Sequence, residues 1–374
     1  MYNYPPWESF SERDARIFRG TDLAPFNFAN YDDSKLGARL LAVLFWYTPN
    51  LKHLLLTGAT YRSLFSYIVL VTSALKELPM PRLSTLRIQR EHIGEAGIDY
   101  DLRLFILLQL NVTRLHLSCD LNCVFSGLGF VHRSPFPMQR IRELKLVGSI
   151  RGIELGIVLK EAVQLETLSI VIAHGERGTG IRGWFGAAPN VNEALTCVKD
   201  TLKTLEFRIC GNDWYTKQFG ATRRLMCLST LNKLEHLTTE TSLLVRIEGK
   251  FNLLKKTLNL SNLVSLTLVD TWRDDGWHAC IQNGPKGEVF AIPWIVTVLK
   301  RGLTRQRKKQ TKNLKYFRYI RARHCPYFTD ATMDSIAPGF LRKTATEFSW
   351  ADDDLPLSFF NSTNLPLRLQ LRSR

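Results

Sequence analysis

The chain has 374 residues, which exceeds one ordinary compact domain, so it holds two domains or one elongated, repetitive one. Hydrophobic residues make up 45% and charged residues 22%, a globular composition that argues against a disordered chain. The formal net charge of +16 favours acidic partners: nucleic acid, an anionic membrane or an acidic protein surface.

Cysteine usage and the N-terminal residues predict a cytoplasmic or nuclear protein, or both. The seven cysteines are an odd number and include no Cys-x-x-Cys pair, which favours free thiols in a reducing compartment. The first residues show no basic segment followed by the apolar core of a signal peptide. The longest apolar run, Leu64–Leu75, is too short to span a bilayer, so no membrane association is expected.

The first two predicted segments are an N-terminal tail over residues 1–33, which shows no repeat, and an amphipathic helix over Ser34–Asn50. A six-residue pattern with apolar residues at positions 1, 4 and 6 then recurs through residues 34–271 at intervals of about 30 residues. Its eight matches begin at Leu51, Leu83, Val112, Ile141, Leu165, Leu202, Leu234 and Leu263.

Each match has the alternation of a short, half-buried strand. Helix-like stretches lie between matches at Ser66–Leu78, Ile153–Val163 and Asn192–Leu202. Because no strand-helix unit can cover its own apolar face, each unit must stack on the next. The sequence therefore predicts an α/β solenoid, a curved horseshoe of about nine or ten irregular repeats, with parallel strands on the concave face and helices on the convex face.

Residues 272–313 break the period, and we interpret them as an insertion or a decayed repeat with a long loop. The stretch from Lys300 to Arg323 has basic residues and no acidic one, which fits a nuclear import signal, a nucleic-acid patch or a solvated loop. Its densest part is a basic loop formed by Arg305, Arg307, Lys308, Lys309 and Lys312.

Residues 314–350 contain the C-terminal repeats, and residues 351–374 a cap or tail. Placing Phe317 at position 1 puts Cys325 at position 9, followed by Thr329 and Asp330 ahead of a helical pattern. This unit resembles the cysteine-containing leucine-rich repeat, in which the cysteine is a buried spacer. A rival register begins at Leu314, and a reactive thiol is the other interpretation of the cysteine, although no base accompanies it.

Motifs that would indicate catalysis are weak. Gly178, Gly180 and Gly183 match a dinucleotide-binding fingerprint, but they lie in a glycine-rich loop well after the preceding strand. The eight histidines are scattered without metal-ligand spacing. We therefore expect no catalytic residues, no metal and no cofactor, and we expect that the protein is not an enzyme.

Positions 3, 5 and 7 of each repeat should form a ladder of outward side chains on the concave face. In the second to fourth units this ladder is basic, which predicts docking of an acidic protein segment; ordinary solvated strand residues are the alternative. The candidate partner-binding residues are Arg87, Arg114, His116, Arg142 and Lys145.

The repeats, the Pro49–Leu56 segment PNLKHLLL and the Cys-Thr-Asp unit together are similar to the leucine-rich region of F-box/LRR proteins, especially the large fungal group, over about residues 34–350. That resemblance implies substrate recognition within an SCF-type ubiquitin ligase, whose adaptor subunit binds the F-box. Residues 1–50 lack the Leu-Pro-x-Glu start of an F-box. The alternative function is a basic nuclear leucine-rich-repeat protein that binds nucleic acid or acidic chromatin-type partners.

Overall fold

The repeated strands form one open, parallel sheet of ten strands that lie side by side in chain order. A computed structural model of the chain describes residues 33–57, 64, 67–68, 72, 80–89, 111–118, 121, 137–148, 150, 152–173, 191–210, 225–240, 243, 262–269, 313–321 and 347–352. The strands are β1 (His53–Thr57), β2 (Thr85–Gln89), β3 (Arg114–Ser118), β4 (Glu143–Gly148), β5 (Thr167–Ala173), β6 (Thr204–Cys210), β7 (His236–Glu240), β8 (Ser265–Val269), β9 (Tyr316–Arg321) and β10 (Glu347–Asp352).

The register of the sheet follows the sequence repeat without a slip. Every strand from β1 to β8 begins at position 3 of its six-residue pattern, and equivalent positions lie opposite each other on neighbouring strands. Leu115 on β3, for example, lies between Leu86 on β2 and Leu144 on β4. A single parallel sheet built in this way is consistent with a solenoid-like repeat fold, which confirms the coarse architecture predicted from the period.

The core lies on one side of the sheet because alternate residues of a strand point to opposite faces. Positions 4 and 6 supply the sheet's share of the core. At position 4 the buried residues are Leu54, Leu86, Leu115, Leu144, Leu168, Leu205, Leu237, Leu266 and Phe317. The same buried cluster continues into the helices α1 (Asp33–Trp46), α2 (Gly152–Glu161) and α3 (Val191–Thr196). The predicted helices over 34–50 and 153–163 are therefore confirmed, whereas α3 ends at Thr196 and the chain continues as a turn.

Hydrogen bonds at the start of each strand repeat with the same period. The carbonyl at position 2 accepts the N–H groups of positions 2 and 3 of the following repeat, as Thr113 O does from Arg142 and Glu143 at 2.8 and 3.1 Å. This arrangement recurs at each junction from β1 to β9. It satisfies the backbone groups at the point where the chain turns into the sheet, and it agrees with the register of the strands.

Asparagine side chains join some of these turns across repeats. Asn111 Nδ2 donates to Pro81 O at 2.7 Å, and Asn262 Nδ2 donates to Asn232 O at 2.5 Å. Each asparagine directly precedes position 1 of its repeat and bonds to a carbonyl in the turn of the previous repeat. The bonds therefore link successive turns along the side of the sheet where the strands begin.

The register predicted for β9 is wrong, and the rival register is correct. Phe317 lies beside Leu266 at position 4, not at position 1, and Leu314 takes position 1. The physical reason is burial: this register places Phe317 and Tyr319, both 0% exposed, in the two core positions of the strand. Counted from Leu314, position 9 is Ala322 rather than Cys325, and the predicted structural residues Cys325, Thr329 and Asp330 lie outside the described residues.

The last strand, β10, begins within the predicted C-terminal repeats of residues 314–350 and pairs in parallel with β9. β8 pairs directly with β9, although the predicted 272–313 segment separates them in the sequence. Of that segment the structure describes only Asn313, so its interpretation as an insertion or decayed repeat stays a prediction, as do the other segment boundaries.

Candidate functional site

The face of the sheet opposite the core carries positions 3, 5 and 7, and β2, β3 and β4 each place one exposed cationic residue there: Arg87, Arg114 and Lys145. We call Arg87, Arg114, His116, Glu143 and Lys145 the basic cluster. At position 5, Arg87, His116 and Lys145 stand side by side on the three strands. At position 3, Arg114 lies beside Glu143. Four of the five predicted partner-binding residues are thus brought together by the register alone.

Glu143 organises the centre of the basic cluster. His116 Nε2 lies 2.7 Å from Glu143 Oε1, so the ring N–H donates to the carboxylate. Arg114 Nε lies 3.5 Å from the other oxygen, Oε2. One carboxylate therefore orients two cationic or polar side chains. The sequence contained a signal for the contact between Glu143 and Arg114, because both residues occupy position 3 of neighbouring repeats and must face the same side of the sheet.

His116 is uncharged near neutral pH. Its side chain is only 15% exposed, and this burial lowers the pKa of His116 below its ordinary value of 6.5. Glu143 opposes the shift by accepting the hydrogen bond, while Arg87 and Lys145 on either side reinforce it. The histidine therefore acts as a neutral hydrogen-bond donor between two fixed positive charges.

The charges available to a partner are those of Arg87, Arg114 and Lys145. The Arg87 and Lys145 side chains are exposed, and the Arg114 side chain is 61% exposed. Within the described part of the chain, no carboxylate forms an ion pair with Arg87 or Lys145. With His116 neutral and Glu143 offsetting one arginine, the cluster keeps two positive charges. This surface can attract carboxylates by charge and bind them by hydrogen bonds.

Arg142, the fifth predicted partner-binding residue, lies apart from this face. It occupies position 2, just before β4, where its N–H donates to Thr113 O. Position 2 carries opposite charges on successive repeats, with Arg142 followed by Glu166 and Lys203. Lys203 Nζ donates to Glu166 Oε2 at 3.0 Å, and this bond, with help from Arg142, lowers the pKa of Glu166. Arg142 therefore belongs to a row of exposed charges at the rim of the sheet.

Several predicted features cannot be placed. The basic loop of Arg305, Arg307, Lys308, Lys309 and Lys312 lies outside the described residues, and so does the glycine motif at residues 178–183. Among the residues that are described, no group of three or more histidine, cysteine or acidic side chains could hold a metal ion. None of the helices in the described ranges has both the length and the hydrophobicity needed to cross a bilayer. No protein-family model and no curated protein matches the chain.

Proposed function

We propose that this protein is a non-catalytic recognition scaffold of the leucine-rich-repeat type that binds an acidic segment of a partner protein. The observation that carries the proposal is the basic cluster: exposed Arg87 and Lys145 flank His116 in one row of a rigid sheet. Residues on a sheet keep their spacing, so the binding charges are preorganised. Folding thus sets the separation of the two residues, and binding has to order only their exposed side chains.

The geometry specifies the acidic segment that fits best. Arg87 and Lys145 are separated by two strand steps, or about 10 Å at the usual strand spacing. An extended peptide in the polyproline II conformation has three residues per turn and rises about 3.1 Å per residue. Acidic residues three positions apart therefore lie on one face of the peptide about 9 Å apart, which matches this separation when the peptide crosses the strands. Arg87 can bind its carboxylate in a bidentate manner, whereas Lys145 acts as a point charge.

A protein segment suits the cluster better than a nucleic-acid backbone does. Glu143 lies between the cationic residues with 35% of its side chain exposed, and it would repel consecutive phosphates. An acidic peptide can place an uncharged residue over Glu143, because only some of its side chains are acidic. Nucleic-acid binding through the basic loop is the alternative function, and it predicts affinity that falls steeply with salt.

A role in an SCF-type ubiquitin ligase is the more specific form of the proposal. It is supported by the resemblance of the repeats to the leucine-rich region of F-box/LRR proteins. Co-purification of the full chain with the adaptor subunit would support this role, and absence of that contact would leave a recognition scaffold outside such a ligase.

The test is fluorescence anisotropy with the full chain and a labelled peptide in which glutamates stand three residues apart. The double variant Arg87→Ser/Lys145→Ser should bind about tenfold more weakly, because two exposed ion pairs contribute up to about 1 kcal/mol each. Lys160→Ser/Lys199→Ser is the matched control, because it removes the same charge from exposed residues outside the sheet and should bind like the wild type.

Two results would overturn the proposed function. One is equal weakening by the two double variants, which would show that only net charge matters. The other is a labelled single-stranded oligonucleotide of the same charge that binds more tightly than the peptide and loses affinity when the basic loop is neutralised.

A further inference from the structure

The outer face of the sheet carries a second cationic site at its other end, on β9. Tyr316 at position 3 is 50% exposed, and Arg318 at position 5 and Lys315 just before the strand are also exposed. No carboxylate among the described residues forms an ion pair with Arg318. Lys315 occupies position 2, at the rim of the sheet like Arg142, so we call only Tyr316 and Arg318 the β9 site. It combines positive charge with an aromatic ring, and exposed aromatic rings often serve as anchors at protein interfaces.

Small hydroxyl side chains separate the β9 site from the basic cluster. The residues at positions 3 and 5 of β5 to β8 are Thr167, Ser169, Thr204, Glu206, His236, Thr238, Ser265 and Thr267. Glu206 is the one carboxylate at these positions; it accepts a hydrogen bond from Ser169 Oγ at 2.6 Å and keeps its negative charge, so the part of a ligand above it has to be uncharged. The middle of the face therefore offers mostly short hydroxyl side chains, interrupted by Glu206 on β6 and by exposed His236 on β7.

On β5 to β8 the residues at position 7 are buried, so the accessible surface there is a narrower strip along positions 3 and 5, which we call the track. Val171, Arg208, Glu240 and Val269, which occupy position 7 of β5 to β8, are 6%, 6%, 5% and 0% exposed. The corresponding residues of β1 to β4 are half-buried. Across β5 to β8, the accessible residues are consequently those at positions 3 and 5, apart from Ser169, which is 7% exposed. They run perpendicular to the strands and lead from Lys145 to Arg318.

We infer that the acidic partner segment crosses the strands in an extended conformation and contacts both ends of this track with two separate acidic groups. The inference rests on the proposed function and adds the length and spacing of the ligand. From Lys145 on β4 to Arg318 on β9 there are five strand steps, or about 24 Å. An extended peptide covers that distance with about seven residues. The hydroxyl groups beneath can bond to its polar groups.

The experiment uses the full chain and three labelled peptides. The first has one block of glutamates, the second has two such blocks joined by a neutral linker of about seven residues, and the third joins the blocks by about two residues. We expect the second peptide to bind about five- to tenfold more tightly than the first, because its second contact forms within the complex. The third should gain less, because its blocks cannot reach both sites.

Variants at the β9 site test whether this site causes the tighter binding of the second peptide. Arg318→Ser and Tyr316→Ser alter exposed side chains, so the fold should persist, and they should abolish the advantage of the second peptide without changing the affinity of the first. An unchanged advantage in both variants would overturn the inference while leaving the proposed function in place, provided that Arg87→Ser/Lys145→Ser weakens both peptides. Equal affinities of the second and third peptides would also overturn it. Absence of binding by all three would refute the proposed function as well.

Discussion

Replacing Thr239 by valine should stabilise the protein. Thr239 occupies position 6 of β7, a core position, where it lies beside Phe207 on β6 and Leu268 on β8. It is 0% exposed, and within the described part of the structure its hydroxyl has no hydrogen-bond partner. Folding therefore removes this hydroxyl from water without replacing the hydrogen bonds that it made there.

The expected gain follows from the cost of an unpaired buried hydroxyl, which is about 1–3 kcal/mol. Valine has nearly the shape of threonine, so the substitution should neither open a cavity nor overpack the core. We expect Thr239→Val to raise the free energy of unfolding by about 1–2 kcal/mol. Urea unfolding followed by circular dichroism measures this quantity, and an unchanged m-value would show that the stability changed while the surface exposed on unfolding did not.

Thr238→Val is the matched control because Thr238 is the neighbouring residue on the opposite face, where it is half-buried. Substitutions at such surface positions usually change stability by about 0.5 kcal/mol or less. A destabilising Thr239→Val, or equal gains in the two variants, would refute the assignment of Thr239 to a core position with an unpaired hydroxyl.

Three further predictions concern titration, charge and thiol reactivity. The folded-state pKa of His116 lies below 6.5. The contribution of this residue to stability is therefore complete above that pH and is lost as the pH falls through the folded-state pKa. His116→Asn should reduce the drop in the free energy of unfolding between about pH 7.5 and about pH 5.5. Glu143→Gln leaves Arg114 without its opposing charge and should tighten binding of the acidic peptide about two- to fivefold, as measured by anisotropy. Burial raises the pKa of the Cys227 thiol to about 12, whereas Cys197 is exposed. Iodoacetamide should therefore label Cys197 and spare Cys227 in the folded chain, and peptide mass spectrometry would measure the labelling.

The sequence was sufficient to predict β1 to β8 and their register, because each strand repeats the same alternation of buried and exposed residues. A one-residue slip of any strand would move its leucines to the outer face, so the alternation excludes that slip. The same logic predicted that Arg87, His116 and Lys145 share a row. Even Thr239, a polar residue in a core position, was placed by the pattern of its neighbours.

The β9 register shows where the pattern is insufficient. Leu314, Phe317 and Tyr319 form one apolar triplet and Phe317, Ile320 and Ala322 form another, so both registers satisfy the six-residue motif. The resemblance of Cys325 to a repeat cysteine favoured the second triplet. The structure selects the first, which buries two aromatic side chains, and the buried area of those rings outweighs that of Ile320 and Ala322.

The contacts within the site were harder to predict than the strands. The bond from His116 to Glu143 runs diagonally between positions 5 and 3 of neighbouring strands, and it depends on the reach of both side chains. Asparagines recur before position 1, at Asn50, Asn111, Asn262 and Asn313, which is a pattern visible in the sequence. The carbonyls that accept from Asn111 and Asn262 lie in turns with no fixed sequence, so these bonds could not be predicted.

The most direct test of the parallel register, on which both the fold and the basic cluster depend, is disulfide formation between engineered cysteines on the outer face. Thr204 and His236 lie opposite each other on β6 and β7, at about the spacing that a disulfide can bridge. Thr204 and Thr238 are offset by two residues along the strand, or about 8 Å apart, beyond that range. Under mild oxidation, with linked peptides identified by mass spectrometry, we predict a crosslink in Thr204→Cys/His236→Cys and none in Thr204→Cys/Thr238→Cys. Equal yields, or a crosslink in the second pair alone, would contradict the register.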